Sequence, residues 1–177
     1  MTIGYNRYLT RCLEDKMIKT IYAPNKLNVI GTSIFLAGSI EMGAAEEWQL
    51  RVINSFDDVK HDVTFLNPRR TDWDSSWEQT IENDQFREQV EWELEALEKA
   101  DCIFLYLSPG TQSPISLLEL GLFGRDENNF SNRMLIVCCP EGFWRKGNVD
   151  IVCKKYGIPL FENFKYAVDV MKMRGFR

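Results

Sequence analysis

Four stretches of the chain carry residue types that could do chemistry. Glu119 is the only charged residue between Asp101 and Arg125, and Leu117, Leu118, Leu120, Leu122 and Phe123 around it are all apolar. A carboxylate in such surroundings is costly unless it is paired or hydrogen-bonded. Two readings stand. Ser116-Leu-Leu-Glu119 has the spacing of a capping box, with Glu119 reaching back to a backbone N–H. Alternatively, Glu119 faces a ligand. Gly38-Ser39-Ile40-Glu41-Met42-Gly43 combines two glycines and a serine, so backbone N–H groups and a hydroxyl could meet a ligand near a helix start. It could equally be a plain tight turn, and it matches neither GxGxxG nor a P-loop. Asn67-Pro-Arg69-Arg70-Thr-Asp72-Trp73-Asp74-Ser-Ser-Trp77 sets two aromatic plates among carboxylates and arginines. That suits a heterocycle, with Trp73 to stack and Asp72 or Asp74 to meet its edge. It also suits a surface loop whose tryptophans pack on the body. Glu91, Glu93 and Glu95 share one helical pattern as a solvated face, except that Glu93 falls near an apolar stripe and so toward the sheet edge.

These residues need a scaffold, and the apolar patterning supplies it. Ser33–Ala37, Val63–Leu66, Cys102–Leu107, Met134–Cys139 and Ile158–Phe161 are short apolar runs bounded by glycine, proline or asparagine. Such runs read as buried strands. Helical spacing fills the gaps. Ala44–Phe56 sets Trp48, Val52, Ile53 and Phe56 on one face, and Gln85–Ala100 carries a stripe of Phe86, Val90, Leu94 and Leu97. Pro114–Gly121 starts on a first-turn proline. Val149–Tyr156 ends at Gly157, and Asn163–Met173 turns Phe164, Val168 and Met171 inward. Strands apolar on both faces and separated by helices predict one doubly wound α/β domain, flavodoxin-like or Rossmann-like. Its sheet would hold five parallel strands with helices on both faces. The pattern assigns residues 31–177 to this domain and 1–30 to an N-terminal extension, with Thr20–Ala23 as an added edge strand. Ligands of such folds bind beyond the carboxyl ends of the strands, where all four stretches lie or begin.

Composition narrows the function. The chain has 177 residues, 21 Lys+Arg against 26 Asp+Glu, and a net charge of −5. That balance speaks against a nucleic-acid polymer as partner, since such proteins are usually basic. No apolar run reaches the ~20 residues that span a bilayer, and the first residues lack the apolar core of a secretory signal. Five cysteines without CxxC spacing read as buried thiols in a reducing, cytoplasmic setting, not as a disulfide or zinc framework. The one histidine, His61, reads as a solvated loop residue and excludes a His-rich metal site.

At these motifs the chain resembles the nucleoside 2-deoxyribosyltransferase family and its relatives, the 2′-deoxynucleoside 5′-phosphate N-hydrolases. Ile34-Phe-Leu-Ala-Gly38-Ser39-Ile40 is similar to the family's opening strand and turn, and Ala100-Asp101-Cys-Ile-Phe-Leu to a later strand. Ser113 through Glu119-Leu-Gly121 is similar to its signature. The resemblance implies that Glu119 attacks the anomeric carbon. It also implies that Glu93, where the family usually has aspartate, holds the sugar and assists proton transfer. Ser113 stands where transferases often carry aspartate and the hydrolases serine. Asn148, in Lys146-Gly-Asn148-Val-Asp150, lies in a stretch similar to one that reaches a neighbouring subunit's site. The implied activity is exchange of a 2-deoxyribosyl group between deoxynucleosides and free nucleobases, by a homo-oligomer with shared sites and with no metal or organic cofactor. The alternatives are hydrolysis of a deoxynucleoside or its monophosphate, and a non-catalytic nucleotide-binding module. Cleavage of a larger N-riboside such as NAD is less suited, because the Gly38–Gly43 turn lacks a pyrophosphate fingerprint. The hydrolases' first turn resembles Gly-Ser-Ile-Arg, whereas Glu41 here replaces the cation. Like charges ~4 Å apart repel by about 4 kcal/mol at a protein surface, which implies unphosphorylated substrates.

Overall fold

A computed structural model describes residues 16–40, 46–70, 72–74, 76–125 and 133–174. The element order is β1 (Ile18–Tyr22), β2 (Thr32–Gly38), α1 (Trp48–Asn54), β3 (Val63–Asn67), α2 (Asp84–Lys99) and β4 (Cys102–Tyr106). The order continues with α3 (Pro114–Phe123), β5 (Met134–Cys138), α4 (Lys146–Tyr156), β6 (Leu160–Phe161) and α5 (Phe164–Met173). All strands pair in parallel, in the order β1-β3-β2-β4-β5-β6.

The sheet therefore has six strands, not five. The sixth is the edge segment, which starts at Ile18 and pairs with β3 from Ile18↔Val63 to Tyr22↔Asn67. Four of its five residues are only half-buried, as at an edge, and apolar patterning alone marks such a strand weakly. Successive side chains of each central strand point to opposite faces. Phe35, Ala37, Ile103 and Leu105 pack with Trp92, Ala96, Leu97, Leu120, Val149 and Cys153 of α2, α3 and α4. Ile34, Leu36, Phe104 and Ile136 pack with Trp48, Val52, Ala167, Val168 and Met171 of α1 and α5.

The α2 stripe also needs correction. Its buried residues are Gln89, Trp92, Ala96 and Leu97, while Leu94 is 40% exposed. The helix is rolled toward Trp92, whose indole N–H donates to the Asn25 carbonyl at 2.7 Å. That roll carries a glutamine to the interior. His61 is half-buried rather than solvated, with Nε2 enclosed.

From β2 the chain runs outward to β3 and then crosses back over β2 to β4. Connections leave the carboxyl ends of β2 and β4 in opposite directions, and this reversal is where doubly wound sheets bind ligands. Gly38 makes the close approach possible. A Cβ there would lie 2.2 Å from the Tyr106 carbonyl oxygen, and its φ of +145° disfavours other residues.

Candidate active site at the strand-order reversal

The residues beyond Gly38 and Tyr106 form a knot of hydroxyls. Ser39 is fully buried, and its N–H donates to the Tyr106 carbonyl at 3.0 Å. Its carbonyl accepts from the Trp48 indole at 3.0 Å. Its Oγ lies 2.8 Å from Thr111 Oγ1 and 2.5 Å from Ser113 Oγ, and accepts from the Ser108 N–H at 3.1 Å. Thr111 Oγ1 and Ser113 Oγ are 3.0 Å apart. Ser113 has φ 46° and ψ 53°, left-handed for a residue that precedes proline. Non-glycine residues hold such a conformation only where their surroundings over-determine it, and they cluster at functional sites. Ile40 is part-buried beside this knot, and Glu41 lies outside the described residues, together with 42–45.

Glu119 lies on the buried side of α3 with Ser116 and Leu120. The helix begins at Pro114 with Ser113 as its N-cap, so Ser116 is an interior residue. Glu119 is then a full turn too far along to close a capping box, which requires the third helical position. The capping-box reading therefore does not hold, and the carboxyl sits on the buried side of the helix without that backbone partner. Burial pushes its pKa up to about 8, and the neighbouring Glu93 charge adds to the rise. Burial likewise pushes Glu93 up to about 7, opposed by a hydrogen bond that Gln89 Nε2 donates to Glu93 Oε1 at 2.7 Å. Helices α2 and α3 thus bring two carboxyls into one electrostatic field. Both carboxyls are thereby held above the ordinary carboxylate range, Glu119 by burial and by the Glu93 charge, Glu93 by burial.

The loop after β3 is organised around Arg70. Its guanidinium donates to both Asp72 oxygens at 2.7 and 3.2 Å and to Glu88 at 3.1 Å. It also stacks over the Trp77 ring at 5.1 Å, and Trp77 lies 5.2 Å from Trp73. Asp72 is therefore engaged with Arg70, and Asp74 accepts from the Ser76 N–H at 2.8 Å within its own turn. Trp73 is part-buried, and its indole N–H is enclosed without a partner. Asn148 lies on α4, in a groove of about 340 Å³ between α4 and α3 that is also lined by Leu117, Leu120, Gly121 and Trp144. The fold brings Glu119 to Glu93 and Ser39 to Ser113, and it leaves Asn148 on a separate surface. Two contributors went unread in the sequence, Thr111 and Gln89, and Arg70 was read only as one of the loop's cations. Gln89 had a signal, since it precedes Glu93 by four residues and so shares its face.

Among the described residues, no cluster of three metal-ligating side chains forms, and no helix is long and apolar enough to cross a membrane. The fold and site define an α/β protein with a carboxyl pair at the reversal of strand order. The family described as "nucleoside 2-deoxyribosyltransferase like" matches residues 31–143, and the chain belongs to that family. A crystal structure described as a conserved protein from Enterococcus faecalis V583 is similar at 13% identity and a TM-score of 0.45. The match covers 80% of this chain and 87% of that one. No curated protein matches the chain.

Proposed function

We propose that the protein transfers a 2-deoxyribosyl group between nucleobases through a glycosyl ester on Glu119. The observation that carries the reading is the pairing of buried Glu119 with half-buried Glu93, whose charge bears on it, between α2 and α3. Cleaving an N-glycosidic bond develops oxocarbenium character, which an ionised carboxylate stabilises and captures. The Glu119 carboxylate forms a bond to the anomeric carbon as the C–N bond breaks. The bonding pair leaves on the base nitrogen, which takes a proton from the Glu93 carboxyl. An incoming base then attacks the same carbon, Glu119 departs as carboxylate, and Glu93 recovers a proton from the acceptor. Neither step calls for a metal or organic cofactor. Gly38, Ser39, Ile40 and Ser113 would hold the sugar end, and Trp73, flanked by Asp72 and Asp74, would line the base.

The chain would act as a homo-oligomer in the cytoplasm. Supporting the first point, Ile115, Leu118 and Leu122 of α3 are each more than half exposed. A second copy would cover this apolar face, and Asn148 would reach the neighbour's site. Supporting the second, Cys102, Cys138, Cys139 and Cys153 are buried free thiols.

The Ser39–Thr111–Ser113 hydroxyls favour a second reading, hydrolysis of a 5′-monophosphate, because three hydroxyls together can serve phosphate oxygens. The test is thymidine or deoxyinosine with a free acceptor base, run beside the matching monophosphates. Base exchange on the nucleoside supports transfer. Release of base from the monophosphate without exchange selects hydrolysis, and inertness toward all of them overturns both.

A further inference from the structure

Gln89 lies inside the protein, 4% exposed, on the face of α2 that meets the sheet. Its amide nitrogen has two hydrogens and both are engaged, one with the Pro68 carbonyl at 2.8 Å and one with Glu93 Oε1 at 2.7 Å. Two acceptors on one side leave no choice of amide orientation. The consequence falls on the other side, where Gln89 Oε1 is enclosed without a donor. A buried acceptor left unmet is unfavourable, and the amide keeps this pose although a turned amide would lose both bonds. The side chain is thus held by its two acceptors, one on the end of β3 and one on the carboxyl beside Glu119.

We propose that Gln89 is a positioning residue: it ties Glu93 to the Pro68 carbonyl and so decides which carboxyl of the Glu93–Glu119 pair carries the proton that the departing base takes. The inference rests on the glycosyl-transfer reading above. A hydrogen bond donated to a carboxylate favours its charged form, so Gln89 makes Glu93 the readier of the two carboxyls to give its proton to the departing base. A substrate arriving with a donor for Gln89 Oε1 would satisfy the amide on that side as well. The groups around Glu93 are few. Helix α2 contributes Gln89, α3 contributes Glu119, and the β3 end contributes the neutral Pro68 carbonyl. Arg69 is directed to Glu47, at 3.6 Å, and Arg70 to Asp72 and Glu88.

The experiment reads Glu93 without turnover. Glutamate is labelled with carbon-13 at the side-chain carboxyl, and the Glu93 resonance is titrated in the Glu119→Gln protein with and without Gln89→Met. Methionine keeps the length and the apolar packing and removes the donor. The expected result is a Glu93 midpoint higher by about one pH unit. Gln89→Glu, which sets a further carboxyl beside Glu93, should raise it more. With Glu119 restored, the acid limb of kcat/KM for base release should move up by the same interval, and the rate at pH 6 should fall about tenfold relative to the plateau. An unmoved midpoint in both variants overturns the proposal, as does a lowered plateau on an unmoved limb. If the unaltered protein releases no base at all, glycosyl transfer fails while the midpoint still decides the role of Gln89.

Discussion

Two gatherings of carboxylates among the described residues are built in opposite ways. At the start of α4, Lys146 Nζ lies 3.6 Å from Glu141, 3.0 Å from Asp150 and 2.8 Å from Glu162. A cation stands at the centre, its pKa raised by Glu162 and Asp150, and all three carboxylates reach solvent. Between α2 and α3, Glu93 and Glu119 have no lysine or arginine among the forces that act on them, and burial dominates. The first arrangement is a clamp that joins α4 to the end of β6. The second keeps a proton at neutral pH, which a clamp does not need and which acid–base chemistry does. A carboxylate cluster thus declares its use by whether a cation is supplied.

The comparison breaks most visibly at Glu119. Glu119→Gln is expected to cost several powers of ten in turnover, since it removes the covalent nucleophile. A variant retaining more than about a tenth of the activity would take Glu119 out of that role. The same substitution should leave the fold intact and help it at high pH. Burial raises both glutamates above the ordinary carboxylate range in the folded state, to about 7 and about 8. The native state therefore binds more protons than the unfolded chain in that window, and stability falls as pH rises from about 4.5 to 8. Glu119→Gln should melt above the unaltered protein at pH 9 and converge with it near pH 5. Thermal melts across that range are the check.

The proton shared by the pair sharpens the comparison further. Base release should follow a bell in kcat/KM, with an acid limb near pH 7 and a basic limb near pH 8. Below the first limb both groups are neutral and the nucleophile is lost, and above the second both are charged and the acid is lost. A flat profile from pH 6 to 9 would separate the pair from the chemistry. Trp73→Ala should raise KM several-fold and leave the melting temperature nearly unchanged. A large fall in melting temperature with unaltered kinetics would make the Trp73–Trp77 contact a packing feature. Lys146→Met gives the smallest effect and the reverse pattern. Its clamp is partly exposed, so melting should drop by a few degrees and kcat/KM should not move.

Much of the scaffold was legible in the chain. The five apolar runs became β2 to β6, because strands buried on both faces are apolar at every position. Asn163 was legible as the start of the last helix, and its side chain indeed accepts from the Tyr166 N–H at 2.9 Å. The edge strand was legible only as a fragment, because most of its residues are half-buried and carry no continuous apolar run. Glu119 stood out because it is one charge in a run of leucines. Its relation to Glu93 came from the family resemblance and not from spacing, since the two lie on different helices.

What the sequence determined by itself was the order and type of the elements, and with them the sheet edge where a ligand would bind. Local spacing settles these, because helix and strand have different periods. Tertiary structure alone decided three things. Helix α2 rolled until Gln89, not Leu94, faced inward, because the sheet had to cover Trp92 and Leu97 as well. Asp72 was drawn to Arg70, which is itself held between Glu88 and the Trp77 ring. The Glu93 and Glu119 carboxyls shifted upward because two helices buried them together. Packing direction, ion-pair choice and desolvation depend on distances between elements remote in the chain, and no periodicity records those distances.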